Sequence, residues 1–161
     1  MKKLIFMRHG KAEYADAETD DYDRSLTERS KRNAAETGNF ILKQLTNAPD
    51  LIFSSEAKRA LSTAMITAEQ LNYPTDKIKM EDGLYLASAS RMLKYIKTIS
   101  SETDTCLLVG HNPGLTDLIN IFGVRLDNLP TASAVCFEFD MDNWQEITPD
   151  KAKFCWMELA K

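Results

Sequence analysis

The 161-residue chain carries no excess of positive charge: 20 lysines and arginines face 24 aspartates and glutamates, for a net charge of −4. The two signs are interspersed. This excludes the broad basic face of a general nucleic-acid or membrane-surface binder, while leaving room for a local basic pocket. Cysteine is scarce. Cys106, Cys136 and Cys155 stand far apart in apolar runs, with no Cys-x-x-Cys pair and no Cys/His ligand spacing. Neither a disulfide framework nor a zinc site is expected, and the three read as buried free thiols of a reducing compartment. No hydrophobic run approaches the length of a membrane span. The apolar stretch after Lys2 and Lys3 is too short for a signal peptide and gives way at once to Arg8-His9. A cytoplasmic protein is expected. Repeats, low-complexity tracts and linkers are also missing, so residues 1–161 are expected to form one domain.

What is present has the composition of an ordinary globular domain, 43% hydrophobic and 27% charged, at a length able to enclose a core. Short apolar runs at Leu4–Met7, Leu51–Phe53 and Thr105–Val109 read as buried strands. Ile78 and Met80, the alternation of Val135, Phe137 and Phe139, and the stretch from Phe154 to Leu159 suggest three more. Between them lie helical stripes: Ala34, Gly38, Ile41 and Leu45; Ala60, Leu61, Ala64, Met65, Ala68 and Leu71; Met92, Leu93, Ile96 and Ile99; Leu115, Leu118, Ile119 and Phe122. Ser25 with Glu28 has capping-box spacing, and Asn112-Pro113 suits a helix start. Trp144 and Trp156 read as core. Strands alternating with helices predict an α/β fold, a three-layer αβα sandwich around a mainly parallel sheet of about six strands. In such sheets ligands bind beyond the carboxyl ends of the strands.

Both histidines of the sequence, His9 and His111, directly follow a predicted buried strand. An imidazole with one bare nitrogen can attack phosphorus. Arg8 beside His9 offers a fork of donors for phosphate oxygens, and Gly10 lets the backbone approach closely. His111 lies at a strand-to-helix junction, where free N–H groups favour anions. Arg59 falls in the first turn of a predicted helix, where a cation opposes the helix dipole and gains nothing for the helix. That conflict with a local rule points to function. Each also has an ordinary structural reading alone: a loop histidine, an exposed arginine.

In combination these segments resemble the histidine phosphatase superfamily, and within it the small SixA-like phosphohistidine phosphatases. Arg8-His9-Gly10 is similar to the family's opening motif. Asp23-Arg24-Ser25-Leu26-Thr27 resembles the Arg-x-Leu-Thr segment before the first helix, and Ser55 to Ala60 the Ser-Pro-x-x-Arg-Ala motif, with Glu56 in place of proline. Asp82-Gly83-Leu84-Tyr85 resembles the Leu-Tyr segment, and Gly110-His111-Asn112-Pro113 the second-histidine motif. The resemblance implies a phosphoglycerate mutase-like fold and a phosphatase that passes through a phosphohistidine on His9. Arg8, Arg59 and His111 would surround the phosphoryl oxygens, with Gly10, Lys11 and Asn112 also lining the substrate site. The general acid stays open between Asp82, Glu81, Glu13 and none, since an imidazole leaving group needs little protonation. No metal or cofactor is implied.

The expected substrate is a phosphorylated protein carrying phosphohistidine, or else a small phosphorylated metabolite; no nucleic acid or membrane partner is implied, and oligomeric state is open. Phosphoglycerate mutase-like phosphotransfer and a non-catalytic phosphate-binding regulatory module are the alternatives. The acidic loop from Asp16 to Asp23 reads as solvated rather than as a metal site, with carboxylates that could disfavour acidic substrates.

Overall fold

In a computed structural model, residues 1–14 and 17–161 are described. Asp16 therefore lies outside the described residues, and the acidic loop can be followed only from residue 17 onward. Six strands form one sheet: β1 (Lys2–Arg8), β2 (Leu51–Ser55), β3 (Lys79–Glu81), β4 (Thr105–Gly110), β5 (Ala134–Phe139) and β6 (Ala152–Glu158). Their order is β3-β2-β4-β1-β5-β6. The first four in that row are mutually parallel, and β5 runs antiparallel to both β1 and β6. The expected mainly parallel αβα sandwich is the one observed.

Four helices cover the two faces: α1 (Glu28–Gln44), α2 (Lys58–Gln70), α3 (Ala89–Lys97) and α4 (Gly114–Ile121). Alternation along β1 sorts the core. Leu4 and Phe6 pack against α3 and α4 with an aromatic group built on Phe122, Phe137 and Phe139. Ile5 and Met7 pack against Ala34 and Ile41 of α1 and the Ala60, Ala64, Ala68 row of α2. Strands buried on both faces explain why the sequence shows continuous apolar runs there.

Two predicted helix starts shift. Residue 25 does not cap α1. Its carbonyl accepts from Glu13 N–H at 2.7 Å and Ala12 bridges Leu26, so this backbone is held in an extended pairing. The cap is Thr27, whose Oγ1 accepts from Ser30 N–H at 3.1 Å. In α4, Pro113 occupies the cap position rather than the first helical one, while the Asn112 side chain still caps by accepting from Thr116 N–H at 3.1 Å.

Two core assignments are also refined. Trp144 is fully buried, but Trp156 is half-buried on the edge strand β6 against Phe40. All three cysteines are free, and Cys106 and Cys136 are buried, whereas Cys155 is only half so. Among the described residues no helix is long and apolar enough to cross a membrane.

β1 and β4 are sheet neighbours, yet the chain leaves them toward opposite faces: β1 leads to α1 on one side, β4 to α4 on the other. Loops that part in this way open a crevice at the strand ends.

Candidate active site

The register of β1 and β4 sets Arg8 opposite Gly110, and His9 N–H donates to Gly110 O at 3.2 Å. His9 and His111 therefore emerge side by side, with ring centroids 4.9 Å apart. Gly10 follows, its N–H donating to Thr63 Oγ1 of α2 at 2.9 Å. A Cβ at this position would stand 3.0 Å from Ser30 Cβ and 3.1 Å from Leu26 Cδ2, so a larger residue would press on the start of α1 where it meets the strand end. Arg59 comes in from the first turn of α2 and is 3% exposed. Tyr85 completes the wall, with its ring 5.3 Å from that of His111 and 5.8 Å from the Arg59 guanidinium carbon. The Tyr85 segment is pressed onto α4 at Gly114, where a Cβ would fall 1.9 Å from Ala87 O.

The hydrogen bonds fix which atoms are available. His9 Nδ1 lies 2.7 Å from Gly10 O, a carbonyl that can only accept. The proton is therefore on Nδ1, and Nε2 keeps its lone pair. His111 Nε2 lies 2.9 Å from Ser55 Oγ, which already accepts from Ala57 N–H. The arrangement that gives every group a role has the Ser55 hydroxyl donating to Nε2, leaving the proton on His111 Nδ1 as a free donor.

Both imidazoles are held neutral. Burial, against a partly offsetting bond to Gly10 O and reinforced by Arg59, Arg8 and Arg24, lowers His9 to about 4. Burial and then the charges of His9 and Arg59 bring His111 to about 3. Arg8 too lies below its ordinary value, through burial and then the charge of Arg59. Two cations and two histidines thus share one low-dielectric hollow, which favours an anion there.

Three side-chain nitrogens among the described residues are buried with no hydrogen-bond partner: Arg8 Nε, Arg59 Nε and His111 Nδ1. Residues 4–85 match the Histidine phosphatase superfamily (branch 1). The chain belongs to that family.

A Mycobacterium leprae relative, itself named only as the uncharacterized protein ML1117, is 33% identical over 115 residues, covering 68% of this chain and 66% of that protein. A 2,3-bisphosphoglycerate-dependent phosphoglycerate mutase of Streptococcus equi subsp. zooepidemicus is 38% identical over 82 residues, but the match spans 48% of this chain and only 35% of the mutase. Solved structures share the fold across the whole chain. The structure of the Nakamurella multipartitia "putative phosphohistidine phosphatase SixA" superposes with a TM-score of 0.85 at 20% identity, covering 99% of this chain and 96% of that one. A SixA protein histidine phosphatase complexed with tungstate gives 0.80 at 19% identity, covering 98% and 96%.

Within this superfamily member, the fold brings together Arg8, His9, Gly10, Arg59 and His111 and treats the other sequence candidates differently. Asn112 has its amide fully engaged, donating to Asn128 Oδ1 at 2.8 Å and Leu129 O at 3.1 Å and accepting from Thr116. Lys11 is exposed and lines a neighbouring cleft with Arg29, Asn33 and Thr131. Asp82 is exposed in a 3-10 turn (Asp82–Leu84), beside the Tyr22 hydroxyl that donates to Glu56 at 3.3 Å. Glu81 pairs instead with Lys79 at 3.4 Å, and Glu13 is exposed.

Ser55, Asp21 and the wall residue Tyr85 were given no role by sequence. Ser55 sets the His111 tautomer, although it opens a motif already noticed. Asp21, read as part of a solvated loop, binds Arg59 at 3.0 Å. The available signal was Arg59 itself, a first-turn cation with no acidic residue in the same turn.

Proposed function

We propose that this chain is a phosphatase in which His9 Nε2 attacks phosphorus. The P–Nε2 bond forms as the bond to the leaving group breaks, giving a phosphohistidine. Water then attacks phosphorus, and the P–Nε2 bond breaks to release phosphate and restore the lone pair. Arg8, Arg59 and His111 stabilise charge on the phosphoryl oxygens during both steps. The observation that carries this reading is the set of three buried, unpartnered nitrogens, all on residues around His9. A buried orphan donor costs about 1–3 kcal/mol, so a cluster of them is a site that an anion completes.

For the substrate we infer phosphohistidine in a protein. The fold shared with SixA structures supports this. A phosphoramidate releases a better leaving group than an alkoxide and needs less help from an acid. For esters we keep Asp82, exposed in its 3-10 turn beside Tyr22, as the candidate acid. We place the activity in one domain, residues 1–161, working in the cytoplasm without a metal or cofactor.

The test is phosphate release by purified protein from a panel of phosphohistidine protein, sugar phosphates, 3-phosphoglycerate and nucleotides, with His9→Ala as control. Phosphohistidine protein is expected to turn over best, and an acid-labile phosphoryl group should be trapped on the wild type but not on the variant. Transfer between 2- and 3-phosphoglycerate without net release would support the mutase instead. Phosphate binding without turnover of any substrate would leave a regulatory module.

A further inference from the structure

The strongest unassigned feature is the way Asp21 grips Arg59 from another part of the chain. Its backbone carbonyl accepts from Arg59 Nη1 at 2.7 Å, and its Oδ2 from Nη2 at 3.0 Å. The same oxygen accepts from the Tyr85 hydroxyl. The other oxygen, Oδ1, accepts from Arg24 Nε at 3.0 Å and Nη2 at 2.8 Å. Both terminal nitrogens of Arg59 are thereby tied to one residue, which fixes the plane of the guanidinium and leaves its Nε edge unpartnered. Tyr85 links the same carboxylate to the wall beside His111.

We propose that Asp21 is a positioning residue of the phosphatase site, holding Arg59, with Tyr85, in the orientation that the phosphoryl clamp requires. The inference rests on the reading of the chain as a phosphatase. Two further observations support it. α2 is capped by Ala57 with no side-chain bond and has no acidic residue in its first turn, so Arg59 has no counterion from its own helix. Asp21 is held at about 2, chiefly by the Tyr85 hydroxyl and then by Arg24 and Arg59 against a burial effect of opposite sign. It is therefore a carboxylate at neutral pH, suited to hold a cation and unsuited to give up a proton.

The test compares wild type, Asp21→Asn, Tyr85→Phe, Arg59→Ala and the double variant Arg59→Ala/Asp21→Asn. The readouts are kcat and KM on phosphohistidine protein, and the dissociation constant of orthovanadate as a mimic of the transition state. Loss of an orienting partner typically costs about 10–100-fold, so Asp21→Asn should lower kcat by that factor and weaken orthovanadate in parallel. KM should change by less than about threefold, because the orientation matters most in the transition state. In the Arg59→Ala background the same substitution should cost less than about twofold, since a residue acting through Arg59 has nothing left to act on.

Equal losses in both backgrounds would overturn the proposal, as would a lowered melting temperature with kcat and orthovanadate binding intact. Should Asp21→Asn fail to fold, Tyr85→Phe carries the test: a kcat loss of roughly threefold or more, absent in the Arg59→Ala background, is expected, and an unchanged kcat overturns it. Wild-type protein that neither releases phosphate nor binds orthovanadate would sink the phosphatase reading and this inference together. An active wild type with an indifferent Asp21→Asn would sink only the inference.

Discussion

Two groups of polar side chains stand shoulder to shoulder at the carboxyl ends of β1 and β4, and they differ in how fully they are bonded. Arg8, Arg59 and His111 each keep a buried nitrogen with no partner. Asn112, next to His111, and Asp21, against Arg59, have both of their side-chain polar groups engaged. Buried polar groups are nearly always satisfied. On the proposed reading the unsatisfied ones are reserved for a ligand, and the saturated ones hold the frame that aims them. The difference gives the proposal a way to separate residues that would touch phosphate from residues that only stand near it, which proximity alone cannot do.

The comparison breaks most visibly at the clamp. Arg59→Ala and His111→Ala should each lower kcat by about 10²–10³, corresponding to the roughly 3–4 kcal/mol typical of one transition-state donor. The melting temperature should fall only modestly, because each substitution removes an orphan along with the bonds to Asp21 or Ser55. A large fall in melting temperature with kcat preserved would reverse the assignment.

Next in size is the response to acid. Both imidazoles sit below the ordinary histidine value of 6.5, at about 4 and about 3. Below pH 6.5 the unfolded chain binds protons that the native site refuses, so stability falls as pH drops through that window. Between pH 7 and pH 5 the loss should be about 2 kcal/mol for each imidazole. Asp21, also depressed, begins to contribute only below about pH 4 and does not confuse the measurement. Denaturant unfolding at both pH values should show the loss in wild type and a smaller one in His111→Ala. An unchanged slope would mean the rings are not buried neutral.

Asn112→Ala should cost about 2 kcal/mol of stability, from several hydrogen bonds worth about 0.5–1.5 kcal/mol each, while kcat stays within about threefold. The opposite split would place Asn112 on the substrate. The smallest effect belongs to Lys11→Ala. An exposed cation facing a neighbouring cleft should change kcat/KM by less than about threefold, with whatever change there is fading as salt is added.

How much of this could be read beforehand varied with the distance over which each residue acts. The strands of the parallel half are visible because burial on both faces makes them uniformly apolar. The histidines are visible because each follows such a run. Motif order then located Arg59. Asp21 was hidden, since the partners that tie it to the site lie 38 and 64 residues away, and its one near partner, Arg24, reads as an ordinary surface pair. Its neighbours in an acidic loop suggested solvation, whereas the buried guanidinium draws it in. The start of α1 was misplaced by two residues because a backbone pairing near Glu13, unseen in one-dimensional periodicity, holds residue 25 extended. Trp156 does pack on the core, but only in part, because it sits on an edge strand, a position that follows from topology and leaves half an indole uncovered.

The place of β4 carries one more consequence. It wedges between β1 and β2, which share no ladder with each other. A nascent or clipped chain that lacks this strand has its two earliest strands unjoined and lacks one of the paired imidazoles. On the proposed mechanism a half-built protein would be silent, and phosphate release would report that the middle of the sheet has closed.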